Sequence, residues 1–130
     1  MDSIPDILQD ANTDLKTILK YKANNYFRNL MVVAYLPTKK MLLPEGDPPF
    51  KTTGEITDQI TKGAFWQICR KLDIFLRADI SSFKRESAFI HALESVSTKE
   101  AQILLKAKDQ ALTDLYPNLT YNKLKEIGYF

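Results

Sequence analysis

A single cysteine, Cys69, leaves this chain without an internal disulfide, and a single histidine, His91, leaves it without the Cys/His set that a zinc cluster needs. No glycine-rich phosphate loop ending in Lys-Ser/Thr occurs, nor a dinucleotide glycine fingerprint, a nucleophile elbow or a His-Glu-x-x-His pair. No two carboxylates stand out as an acid-base dyad, because most fall at helix starts or on polar helix faces, where capping and solvation account for them. These absences argue against an enzyme, a metal and a cofactor. The longest apolar run, "LMVVAYL" at 30–36, is far too short to span a bilayer, and no basic N-terminal segment leads into an apolar signal core. The expectation is a soluble, intracellular protein that makes no use of a membrane. Period-two alternation with hairpin punctuation is missing throughout, which removes the β classes. In such a context the sequon-like "NLT" at 118–120 reads as turn chemistry.

What the chain does have is an ordinary share of hydrophobic residues, 45% of 130, enough to bury the core of one domain spanning 1–130. Its net charge of +2 is small but uneven: residues 1–60 carry 7 Lys/Arg against 8 Asp/Glu, and residues 61–130 carry 11 against 8. Within 62–85 the basic residues are Lys62, Arg70, Lys71, Arg77, Lys84 and Arg85, with Asp73 and Asp79 as the acidic ones. A polyanion-facing surface would begin there; a solvated face that keeps a helical domain soluble explains the same residues.

Helical spacing organises the rest. Ser3 is an N-cap with Pro5 in the first turn, and Asn12 or Thr13 caps a second helix bearing Leu15, Ile18, Leu19 and Lys22. Asn24 or Asn25 caps a third, whose Phe27, Leu30, Met31 and Ala34 form an apolar stripe before Pro37 stops it. Residues 37–54, "PTKKMLLPEGDPPFKTTG", form a Pro-rich loop in which Pro44, Pro48 and Pro49 remove backbone donors and Gly46 and Gly54 allow turns. A loop that long either packs by its own Met41, Leu42, Leu43 and Phe50 or serves as a binding arm.

"GAFWQICRKLDIFLRA" places Phe65, Ile68, Cys69, Leu72, Phe75 and Leu76 on the inner face of one continuous helix, with Arg70 and Arg77 sharing its outer face and Asp73 between them. Cys69 is then a small buried residue. A following helix turns Phe89, Ile90, Leu93 and Val96 inward, leaving Lys84, Ser87, His91 and Glu94 outside. Ser97 and Glu100 form a capping box ahead of Ala101, Leu104 and Leu105, with Lys99, Gln102, Lys106 and Asp109 left for water. Last, Thr120 caps a short helix carrying Tyr121, Leu124 and Ile127 on one face, and Gly128 stops it. The fold class is all-α, a single compact domain of about six helices with the Pro-rich loop between helices 3 and 4.

The stretches "LLPEGDPPFK" at 42–51, "FIHALESVSTKEAQILLKAKDQ" at 89–110 and the closing "LTYNKLKEIG" resemble a set of small uncharacterised proteins of T-even-like marine phages, of the cyanophage and pelagiphage type. The order of elements is also similar to that of the N-terminal helical DNA-binding domain of phage ATP-dependent DNA ligases. Lys16 with Ile18 and Leu19, Tyr35, and the late helix pair with Asn122 and Lys123 carry that second resemblance. Where those ligases have an Arg-Asp-Leu turn and a glycine, this chain has "KDQ" at 108–110 and Tyr116-Pro117, and the adenylated Lys-x-Asp-Gly motif is absent.

The resemblance implies a virus-encoded protein of the host cytoplasm or the virion. It supports a non-catalytic nucleic-acid-associated module whose phosphate contacts would come from Lys62, Arg70, Lys71, Arg77, Lys84, Arg85, Lys106, Lys108, Asn122, Lys123 and Lys125, with DNA as partner. The alternative is a protein-interaction module, a host-takeover adaptor or virion component. It would contact a phage or host protein through Leu43, Pro44, Pro48, Pro49 and Phe50 of the loop and through the tail aromatics Tyr129 and Phe130.

Overall fold

The structure, a computed structural model, describes residues 2–52 and 56–130, with Asp58 described by its backbone alone. Gly54, one of the expected turn positions, lies outside the described residues. Seven α-helices form among them: α1 (Ile4–Thr13), α2 (Leu15–Tyr21), α3 (Asn25–Tyr35), α4 (Asp58–Arg70), α5 (Ser82–Glu94), α6 (Thr98–Lys108) and α7 (Tyr121–Glu126). Short 3-10 segments occupy Pro37–Lys39, Leu72–Leu76 and Leu112–Asp114. The described residues contain no strand, and the long loop falls between the third and fourth helices as its composition predicts.

Helices α3 and α6 run through the centre. α3 packs on α4 and α6, α1 closes on α2, α4 and α6, and α5 lies on α6 and the 72–76 segment. The α3 stripe expected from spacing, Phe27, Leu30, Met31 and Ala34, is wholly buried, as are Phe65, Cys69, Leu72 and Phe75. Each Phe, Leu or Met among them contributes roughly 1.5–3 kcal/mol by leaving water. Phe75 meets Phe89 edge-on, 5.5 Å between centroids at 88°, which joins α5 to the 72–76 segment.

Local signals set most helix starts. The Ser3 hydroxyl accepts from Asp6 N–H, Asn24 Oδ1 accepts from both Tyr26 and Phe27 N–H, and Ser97 with Glu100 completes the capping box. That box reaches further than its four residues. Thr61 on α4 donates to the buried Glu100 carboxylate and accepts the Ser97 N–H at 3.2 Å, so a helix cap doubles as a helix-helix joint.

Two expected boundaries move. α1 continues through Asn12 and Thr13, and Asp14 caps α2 by accepting from Lys16 N–H at 2.9 Å. Asn12 is occupied elsewhere, its Oδ1 accepting from Asn118 N–H at 2.8 Å. The continuous helix expected over 63–78 breaks at Lys71, where the backbone leaves the helical region and a 3-10 segment follows. The released carbonyls find other donors: Asn29 Nδ2 reaches Cys69 C=O at 3.2 Å, and Leu42 N–H reaches Phe75 C=O at 2.8 Å. Arg70 and Arg77 therefore do not share a helix face, and Arg77 pairs with Asp79 rather than Asp73.

Candidate functional site: a cleft under the Pro-rich loop

The loop is fastened by side chains of α5, of α6 and of the residue that caps α6. Arg85 on α5 donates through Nε to Leu42 C=O at 3.0 Å, through Nη1 to Arg77 C=O at 3.1 Å, and also to Ile80 C=O. The Lys108 ammonium on α6 donates to Pro44 C=O at 2.8 Å and to Asp109. Gly46 N–H donates to Asp109 Oδ2 at 3.3 Å, and Lys51 N–H to Glu94 Oε2 at 2.7 Å. Gly46 sits at φ 85°, a conformation that glycine takes without strain. Met41 is buried, and Leu43 and Phe50 pack against the core, so the loop carries its own apolar footing.

Beneath it opens a cleft of about 320 Å³. Leu43, Pro44, Pro48 and Pro49 form one wall, and Phe89 and Ile90 of α5 form the other. Buried Lys108, exposed Glu45 and Asp47, and half-buried Glu86 complete the lining. Four residues singled out in the loop thus converge on one concave, largely apolar site.

The cationic candidates fare differently. Lys108 is 2% exposed, and its ammonium is taken by Pro44 and Asp109, which corrects its assignment as a phosphate contact. Its place follows from spacing, because Ala101, Leu104, Leu105 and Lys108 share the inner face of α6. Arg85 is committed to three backbone carbonyls. Arg77 forks onto Asp79, with Nε to Oδ1 at 3.1 Å and Nη2 to Oδ2 at 2.7 Å, and those bonds hold the Asp79 carboxyl below its usual range. Lys106 pairs with Asp114 at 3.0 Å, and Lys123 donates to Asn118 C=O at 2.9 Å. Lys62 is half-buried on α4; Arg70, Lys71, Lys84, Asn122 and Lys125 are exposed, with Lys125 5.9 Å from the Tyr121 ring. The eleven residues do not form one free cationic face.

The tail candidates also divide. Tyr129 is fully buried: its hydroxyl donates to Ile18 C=O, its carbonyl accepts from Arg28 Nε at 3.2 Å, and its ring meets Phe27 edge-on at 6.3 Å. Tyr129 is thus a core residue rather than a partner anchor, a correction to the sequence expectation. Phe130 stacks on Tyr121, 5.5 Å apart at 18°. Gly128 at φ 86° turns the chain so that Gly128 N–H bonds Lys125 C=O and Tyr129 N–H bonds Leu124 C=O, the pairing of a Schellman stop.

Sequence reasoning missed Glu86, Phe89 and Ile90 as a wall of the site, and Arg85 and Asp109 as its fasteners. Only the spacing that turned Phe89 and Ile90 inward pointed that way. Among the described residues no helix is long and apolar enough to cross a membrane, and no group of three or more His, Cys, Asp or Glu side chains is placed to hold a metal.

One family model, described as a family of unknown function (DUF6433), matches residues 7–114. No curated protein and no solved structure matches the chain.

Proposed function

We propose that this chain, which belongs to the DUF6433 family, is a non-catalytic protein-interaction module that receives a segment of its partner in the cleft under the Pro-rich loop. One observation carries this reading: the loop is held open over α5 by bonds from Arg85, Lys108, Asp109 and Glu94, so the cleft exists before any partner arrives. A pre-formed cleft spares a partner the entropy of ordering the loop. Prolines supply rigid apolar walls. The resemblance to small phage proteins suggests a phage or host protein as the partner.

The test compares the intact protein with Ile90→Asp and Pro49→Asp, both altered at the cleft wall. Proteins captured from infected-host lysate by the intact chain are expected to be lost by both variants, each of which keeps a folded, helical circular-dichroism spectrum. Identical captured sets would overturn the proposal.

Nucleic-acid association is the second reading, and the exposure of Arg70, Lys71 and Lys84 is what favours it. It requires anisotropy on duplex DNA to show affinity that falls steeply with salt and drops further in a Lys71→Glu, Lys84→Glu double variant. Affinity independent of salt removes that reading.

A further inference from the structure

The cleft is lined by apolar side chains and by three carboxylates. Glu45 and Asp47 are exposed and Glu86 half-buried, whereas the one cation of the lining, Lys108, is buried and already bonded to Asp109. Glu45 is partly offset by its ion pair with Lys40, leaving Asp47 and Glu86 as the carboxylates with most influence on an incoming group. The apolar surface also continues beyond the cleft. Phe83, 76% exposed, stands three residues before Glu86 and seven before Ile90, on the same side of α5. An aromatic ring left in water one helical turn from a lining residue of an apolar cleft is a second point of attachment.

We infer that the occupant is a partner segment whose apolar side chains fill the cleft and cover Phe83 while a flanking Lys or Arg meets Asp47 and Glu86. This rests on the interaction reading given above and adds the charge of the partner to it. Charge complementarity sets selection and approach, and the apolar contacts supply most of the affinity. An acidic segment is disfavoured, because Lys108 has no vacant position from which to answer it.

Three small probes of equal chain length separate these contributions: hexylguanidinium, hexanol and hexanoate, titrated into the 15N-labelled protein. The expected result is that hexylguanidinium shifts the amide resonances of Gly46, Glu86 and Ile90 and binds about three- to tenfold more tightly than hexanol, the range for two partly exposed ion pairs. Hexanoate should be weakest. In the Asp47→Asn, Glu86→Gln double variant the advantage of hexylguanidinium should vanish while the hexanol affinity stays. Equal binding of hexylguanidinium and hexanol, or a preference for hexanoate, overturns the charge inference and leaves the cleft reading intact. If no probe shifts the cleft resonances, both readings fail.

Sedimentation velocity guards against a different occupant. α2 displays the exposed Leu15 and Leu19 beside Lys16 and Lys20, so a second copy could present the same chemistry. Self-association that is abolished equally by Ile90→Asp and Leu19→Glu would make the cleft a self-contact and overturn the inference of a separate partner.

Discussion

The side-chain amide of Gln110 donates to Leu36 C=O at 2.6 Å and to Val33 C=O at 3.2 Å, closing the C-terminus of α3 with a residue 74 positions further along the chain. Gln110 itself sits at φ 55°, a left-handed conformation in which Ala111 N–H reaches back to Lys106 C=O and ends α6. One residue stops two helices, the first with its side chain and the second with its backbone.

The two roles are separable by substitution. Gln110→Ala removes the amide and keeps a Cβ at positive φ, so it should lower stability by about 1–3 kcal/mol. Gln110→Gly removes the amide too but relieves the backbone, and should recover roughly 1 kcal/mol of that loss. Urea denaturation of the three proteins decides the matter. If the alanine and glycine variants are equally stable, the positive φ carries no strain.

Tyr129 predicts a comparable loss from a smaller change. Tyr129→Phe keeps the ring against Phe27 but leaves the buried Ile18 C=O without its donor, at an expected cost of about 1–3 kcal/mol. Tyr129→Ala removes the ring as well and should cost about 3–5 kcal/mol. Thermal unfolding followed by circular dichroism checks both, and a Phe variant as stable as the parent would remove Tyr129 from the core's polar contacts.

Lys108 is a strut for the loop. Lys108→Met keeps the buried stem and discards the ammonium, freeing Pro44 C=O and Asp109. Stability should fall by about 1–3 kcal/mol, and the Gly46 amide, bonded to Asp109, should exchange faster with deuterium. Unchanged exchange at Gly46 would mean that the loop is held without the lysine.

Alkali should weaken the fold through the buried thiol and phenols of its core. Burial, with the Glu100 charge nearby, pushes the Cys69 thiol well above its ordinary value of 9.0, and burial raises the Tyr35 and Tyr129 phenols above 10.0. Between the unfolded and folded values the unfolded chain holds fewer protons, so stability falls as pH rises from about 9 upward. Urea midpoints measured across that range should decline, with a smaller decline between pH 9 and 10 for Cys69→Ala. Native Cys69 should resist iodoacetamide at pH 8 and react once urea is added. Rapid labelling of the folded protein would contradict its burial.

Much of the helical framework was legible because it is written locally. Ser3, Asn24, Ser97 with Glu100, and Thr120 each cap the helix that their chemistry announces, and the stripes on α3 and α6 repeat at helical spacing. The break at Lys71 was not legible, since its stabilising donors, Asn29 and Leu42, lie about 30 to 40 residues away and carry no local mark. For the site, composition identified the loop, while the opposite wall, Phe89 and Ile90, registered only as inward-facing apolar residues. Charge counting was least informative. It cannot separate a lysine in water from Lys108, or an open guanidinium from Arg85, whose donors are taken by carbonyls of the chain itself.

The contacts that Tyr129 makes also constrain when the molecule can become whole. Its hydroxyl reaches Ile18 across 111 positions, and Arg28 holds its carbonyl across 101. While the chain is being synthesised, α1, α2 and α3 emerge early and must wait, with Phe27 meeting Tyr21 but lacking the Tyr129 ring, until translation has passed residue 129. Final locking of this core therefore waits for Tyr129, and a ribosome stalled before that residue would display apolar surface that chaperones bind.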